Sequence, residues 1–199
     1  MAKLEWTYGI VRKGTETVML NRYYIIDNFY DSPDGIAKLV LDNPETKLFS
    51  EDHCNFFSQI VSERLEEALD NCGRFAINKL DNTRIHFDTG NISWTGYVFL
   101  QKDHPKDLAG VEFWKHKETL IEEIPKTIEE LKDLGYENLE SFKTFIDDNI
   151  LDFSKWESVF KIPYKYNRLV IFRPWLFRST GSLISNNIIQ TFYLKQKII

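Results

Sequence analysis

His86 and Asp88, separated only by Phe87, are the residues of this chain whose types and spacing could do chemistry. On a strand, side chains two apart share a face, so Arg84-Ile85-His86-Phe87-Asp88 would offer one imidazole and one carboxylate to the same point. Joined by a second imidazole from a distant strand, such a pair makes the facial site of a non-haem iron(II) centre, with positions left open for substrate and oxygen. The chain has four histidines, and none follows His116. A His two residues before an acid is also common by chance. The other reading is therefore a strand-end His beside a turn Asp, since Thr89-Gly90-Asn91 has turn composition.

The remaining polar residues make weaker cases. His53 falls in the first turn of an expected helix and reads as solvated, and His104 belongs to the polar loop Lys102-Asp103-His104-Pro105. His116 follows Trp114-Lys115 at a strand end; it is within reach of a site, but a surface position is the expectation. No Gly-rich phosphate loop and no nucleophile elbow is present. The acidic run from Glu122-Glu123 to Glu129-Glu130 reads as the solvated face of a helix.

Composition excludes several classes. At 199 residues the chain can bury a sizeable core, and the expectation is one domain over 1–199. The net charge of −5 comes without a long basic run, which argues against nucleic acid as a partner. No apolar stretch reaches membrane-spanning length, and the opening Met1-Ala2-Lys3-Leu4-Glu5-Trp6 has no signal-peptide core. Cys54 and Cys72 are too few for a disulfide framework and read as free thiols in a reducing cytoplasm.

The elements that must position His86 and Asp88 read as follows. Strands are expected at Trp6–Val11, Val18–Leu20 and Tyr23–Ile26, then a short helix over Gly35–Leu41. A longer helix, capped by Ser50, runs to about Asn71 with Phe57, Ile60, Val61, Leu65 and Leu69 on its core face and Gly73 as its stop. Short strands follow at Arg74–Ile77, Arg84–Phe87, Trp94–Leu100 and Val111–Trp114, with a turn at Asp81-Asn82. Lys117–Leu134, interrupted at Pro125, and Leu139–Leu151 read as helices of an insertion over about 117–155. Strands return at Arg168–Phe172 and Ile188–Leu194. The order predicts an α+β, mainly β chain: a double-stranded β-helix, or cupin-like jelly roll, with flanking helices.

The order of segments resembles a branch of the 2-oxoglutarate/iron(II) dioxygenase superfamily, from about Tyr23 to the C-terminus. Tyr23-Tyr24-Ile25-Ile26-Asp27-Asn28-Phe29-Tyr30 with Ser32-Pro33-Asp34 resembles its opening strand, turn and first helix. Ile85-His86-Phe87-Asp88 resembles its HxD strand, and Tyr97-Val98-Phe99-Leu100 the strand after it. Gly110 to Lys117 resembles a Gly-Gly-Thr-x-Phe-x-Arg-His segment, and Gln190-Thr191-Phe192-Tyr193-Leu194 the final core strand. Tyr166-Asn167-Arg168-Leu169-Val170-Ile171-Phe172 resembles the Asn-Arg-Leu-Val strand that leads to the distal metal His.

That resemblance implies iron(II) and 2-oxoglutarate as cofactors, with His86 and Asp88 as ligands. The chain departs from the pattern twice. Leu176-Phe177-Arg178-Ser179 carries an arginine where the distal His is expected, and Asn187 stands where an Arg would hold the far carboxylate of 2-oxoglutarate. Arginine has only donors and stays protonated, so it is no iron ligand. The resemblance places Arg178 inward, where its planar fork would pair with Asp88 and supply the charge that a metal would.

Three functional readings follow. One is an oxygenase with His86 and Asp88 as ligands and water or an unidentified group in place of the third, or rescued by His116 as a substitute ligand or by Arg173, Arg178 or Lys195 as an anion anchor. Another is a catalytically inactive relative, without cofactor, whose barrel mouth binds a small anion or a partner through Arg178, Arg168 and the aromatics Trp94, Trp114 and Trp175; His116 is a further pocket candidate, and Asn187, Arg178 and Arg168 are the candidates for holding a cosubstrate. The third is an assembly role through an aromatic surface, as a homodimer. No substrate, small molecule or protein, can be read from the segment that would cover the mouth.

Overall fold

The computed structural model describes residues 4–13, 16–77, 84–102, 110–180 and 187–197, with side chains from Arg22 onward. The turn expected at Asp81-Asn82 and the loop around His104 lie outside the described residues.

Among the described residues ten strands and four α-helices follow in the order β1 (Leu4–Lys13), β2 (Glu16–Asp27), α1 (Pro33–Asp42), α2 (Glu51–Val61), β3 (Leu65–Glu67), β4 (Arg74–Ile77), β5 (Trp94–Phe99), β6 (Gly110–His116), α3 (Ile128–Asp133), α4 (Leu139–Asn149), β7 (Trp156–Pro163), β8 (Arg168–Phe172), β9 (Arg178–Thr180) and β10 (Ile188–Gln196), with a short 3-10 turn at Phe153–Lys155. One antiparallel sheet runs β1-β2-β8-β5-β10-β3, with β4 also paired to β10; a smaller one runs β7-β6-β9. The fold is thus mainly β, with antiparallel sheets and a few helices.

Strand β5 shows why this layering forms. All six of its residues are buried, which requires cover on both faces of the large sheet. Its side chains alternate. Trp94 and Val98 join a core with Phe57, Ile60 and Val61 of α2 and Val40 of α1. Tyr97 and Phe99 join a second core with Val111 and Phe113 of β6, Ile162 of β7 and Phe172 of β8. The large sheet therefore has an outer face under helices and an inner face against the small sheet. A third cluster packs Leu131 of α3 and Phe142 and Ile146 of α4 onto Ile85, Trp156 and Phe177, beside the small sheet. Gly110 opens β6 at φ 151°, and a Cβ there would lie 1.9 Å from the Ile162 carbonyl oxygen, so no other residue fits.

Several elements differ from the sequence reading. The helix expected to reach Asn71 stops at Val61; Ser62 turns left-handed at φ 57°, and Leu65 enters β3 opposite Gln196. The free edge of β10 captures that segment, and Ser58 Oγ accepts the Leu65 amide at 2.9 Å. Gly73, at φ 77°, leads into β4 instead of ending a helix. Before Pro125 the expected helix is absent. Glu123 forms an isolated bridge with Leu176, Ile124 N–H donates to the Trp175 carbonyl, and a helix begins only at Ile128. Arg84–Phe87 is no full strand; one bridge, His86 with Arg178, ties it to β9. The pairing that forms β7 and β9 is long-range, and neither strand stood out in the sequence. Among the described residues no helix is long and apolar enough to cross a membrane.

Candidate functional site

The bridge between His86 and Arg178 builds the site. His86 N–H donates to the Arg178 carbonyl at 2.8 Å, Arg178 N–H returns the bond at 2.9 Å, and Asp88 N–H donates to the Pro174 carbonyl at 2.8 Å. Residues directly opposite in an antiparallel pair present their side chains on the same face, and Asp88, two residues along, shares that face with His86. Backbone register alone thus brings the imidazole, the carboxylate and the guanidinium to one place.

Arg178 is wholly buried. Its Nη2 donates to Asp88 Oδ2 at 2.5 Å, and its Nη1 donates to the carbonyls of Pro174 at 2.9 Å and Leu176 at 3.4 Å. The guanidinium carbon lies 4.8 Å from the centre of the Phe172 ring. The Tyr97 hydroxyl hydrogen-bonds the same group as acceptor, since arginine only donates. Burial opposes the charge on Arg178, but Tyr97 and Asp88 outweigh it and hold the group protonated. Burial raises the Tyr97 phenol and keeps it neutral. Thr95 Oγ1 donates to Asp88 Oδ2 at 3.0 Å. His86 is pushed down to about 4, by burial first and by the Arg178 charge second, so its ring is neutral near pH 7.

This set does not fit iron(II). A facial site needs three donor groups, and here the third position presents N–H groups only. Among the described residues no three His, Cys, Asp or Glu side chains come together to hold a metal.

Arg178, His86 and Asp88 are brought together with Trp175 at their cleft; the other candidates lie apart. Arg168 pairs with Asp27 at 2.7 Å and sits opposite Phe99, whereas Phe172 at the Arg178 end sits opposite Thr95. Four residues of strand separate the two ends, roughly 13 Å. Asn187 is buried at the Phe99 end too, next to Ile188, whose carbonyl accepts Leu100 N–H. Trp94 is on the outer face, donating to Glu63 at 3.0 Å with the Arg173 guanidinium 3.6 Å from its ring centre. Trp114 donates to Ser179 Oγ at 2.9 Å and borders a separate pocket of about 220 Å³. His116, expected near the surface, is buried between Phe145 and Trp156 with Nδ1 3.1 Å from Thr119 Oγ1, and burial lowers its pKa. Lys195 pairs with Glu66 at the β3 edge.

Only Trp175 of the aromatic candidates borders the cleft that His86 and Asp88 open into, a space of about 710 Å³. Tyr97, Thr95 and Phe172 complete the surroundings of Arg178 and were missed from the sequence. The alternation Thr95-x-Tyr97-x-Phe99 on one face of an expected strand was the available signal.

No protein-family model and no curated protein matches the sequence. Matching solved structures include the following two. A crystal structure of an N-substituted L-amino acid dioxygenase from Burkholderia ambifaria AMMD shares 9% identity at a TM-score of 0.47, covering 97% of this chain and 95% of its own. A complex of such an enzyme with alpha-KG from the same organism shares 9% identity at 0.46, covering 96% and 94%. At this distance neither their activity nor their sites transfer to this chain.

Proposed function

We propose that this protein is a double-stranded β-helix of the 2-oxoglutarate/iron(II) dioxygenase type that binds a ligand at its mouth and does not turn over. The observation that carries this reading is the ion pair of wholly buried Arg178 with the half-buried Asp88. A carboxylate in this position needs a counter-charge. In an iron enzyme the metal supplies it; here a fixed guanidinium does, held by two backbone carbonyls and a phenol. Asn187 and Arg168 lie at the opposite end of β5, so neither of the expected positions anchors 2-oxoglutarate beside His86.

Iron titration of the purified protein tests the reading, alongside its metal content as isolated. Wild type is expected to take up no stoichiometric iron and, with iron and 2-oxoglutarate added, to consume no oxygen and release no succinate. The Arg178→His variant, which returns a third donor to the same backbone position, is expected to gain iron. Micromolar, equimolar iron binding by wild type that disappears in His86→Ala would overturn the proposal.

A further inference from the structure

The cleft over the Arg178–Asp88 pair has a composition that selects its occupant. Its walls are apolar and come from several elements: Phe142 and Ile146 from α4, Ile85 and Ile92 from the chain flanking His86, and Ile124 and Trp175 from the two segments bridged at Glu123 and Leu176. At about 710 Å³ it falls within the usual range for small-molecule sites.

The rim is cationic. Arg84, Lys126 and Lys143 are exposed on it. Among the described residues Arg84 and Lys143 have no ion-pair partner, while Lys126 shares Glu123, which also accepts from Arg22. The anions lining the cleft are Asp88, neutralised by Arg178, and Asp147, one helical turn from Lys143. Among the described residues two unpaired rim cations, Arg84 and Lys143, therefore face one unpaired carboxylate, Asp147, around an apolar interior that ends in a neutral ion pair.

We infer that this cleft takes an apolar acyl chain ending in one carboxylate, of the medium-chain fatty acid class, with the chain against Phe142, Ile146 and Trp175 and the head group at Arg84 and Lys143. The inference rests on the proposed reading, because an internal ion pair, not a metal, must close the floor. Apolar burial supplies affinity, and the rim charges select an acid over an alcohol. A short dicarboxylate such as 2-oxoglutarate lacks the chain and would bring a second charge onto apolar walls.

Calorimetric titration of the full chain with decanoate, 1-decanol and 2-oxoglutarate tests it. Saturable one-to-one binding of decanoate is expected, tighter than either comparator. In Arg84→Ala/Lys143→Ala decanoate should weaken about tenfold, the size expected for losing two partly exposed charge contacts. Binding of 1-decanol should stay unchanged in that variant, which also reports that it is folded. Leu139→Asp, at an exposed position on the cleft wall, should weaken both long-chain ligands. Decanol binding as tight as decanoate, 2-oxoglutarate binding as tight as decanoate, or decanoate indifferent to the double substitution would each overturn the inference. Iron titration of the same sample separates the two claims. Equimolar iron uptake overturns both, whereas lost decanoate selectivity without iron uptake overturns this inference alone.

Discussion

The two faces of the large sheet both bury polar groups, and they do it with different chemistry. On the inner face a formal charge is enclosed: Arg178 with Asp88, supported by Thr95 and Tyr97. On the outer face the buried polar group is a neutral amide. Gln190 donates to the Leu48 carbonyl at 2.9 Å and the Gly73 carbonyl at 3.1 Å, and accepts from the Tyr30 hydroxyl at 2.5 Å. Asn167 does similar work at the sheet end, clamping Tyr30 N–H and carbonyl at 2.9 and 2.8 Å. A neutral amide can satisfy backbone groups at low desolvation cost, so the outer network reads as structural. A buried charge pair is costly to assemble and adds little net stability over apolar packing. The contrast assigns the outer network to holding loops and helices in place; on the proposed reading the inner pair belongs to the ligand site.

The largest test of that contrast is Arg178→Met. Leaving Asp88 without its partner should cost about 3 kcal/mol in urea unfolding, the low end for a broken pair because Asp88 borders the cleft and keeps its Thr95 hydrogen bond. Asp88→Leu/Arg178→Met should recover most of that loss. A double variant as unstable as the single one would show that the pair is structural after all. On the outer face, Gln190→Leu should cost about 1–3 kcal/mol by stranding the Leu48 carbonyl and the Tyr30 phenol, while the Gly73 carbonyl keeps the Leu48 N–H. No rescue by a second substitution is expected, because backbone carbonyls cannot be removed.

Thr95→Val, which keeps shape and deletes the hydroxyl bond to Asp88, should cost about 1 kcal/mol by the same measurement. A change several times larger would mean that the inner network depends on Thr95 as much as on Arg178. The smallest expected effect belongs to the outer face. His53 is half-buried against Phe29, Phe49 and Phe192, and desolvation lowers its pKa. The unfolded chain therefore binds the proton more readily, so stability is full above the ordinary His value and falls as pH drops below it. The fall levels off once pH is under the lowered folded value. His53→Gln should flatten that part of the pH–stability curve, and an unchanged curve would remove His53 from the account.

The parts of the fold legible in the sequence are those set by local pattern. Trp94–Leu100 and Arg168–Phe172 announce strands by β-branched and aromatic density, and Leu139–Asn149 announces a helix by apolar spacing. The parts that were not legible are set by distant pairing. Leu65 has helical spacing from Ile60 and Val61, yet the open edge of β10 draws it into β3. Residues before Pro125 have helix-forming composition, yet Ile124 is held extended by the Trp175 carbonyl. His53 and His116 read as surface residues because their own neighbours in sequence are polar, and both are enclosed by rings from elsewhere.

The site divides along the same line. Residue type and spacing by themselves determined that His86 and Asp88 would share a face, since period two is a property of extended backbone. They also determined that Arg178 could not be a ligand, since a guanidinium has no lone pair to offer. Only the tertiary structure decided where Arg178 points, through its bridge to His86 and the carbonyls of Pro174 and Leu176. Only it decided that Arg168 and Asn187 lie at the other end of the sheet, because strand register fixes distance along β5 and no local signal encodes register between strands far apart in sequence.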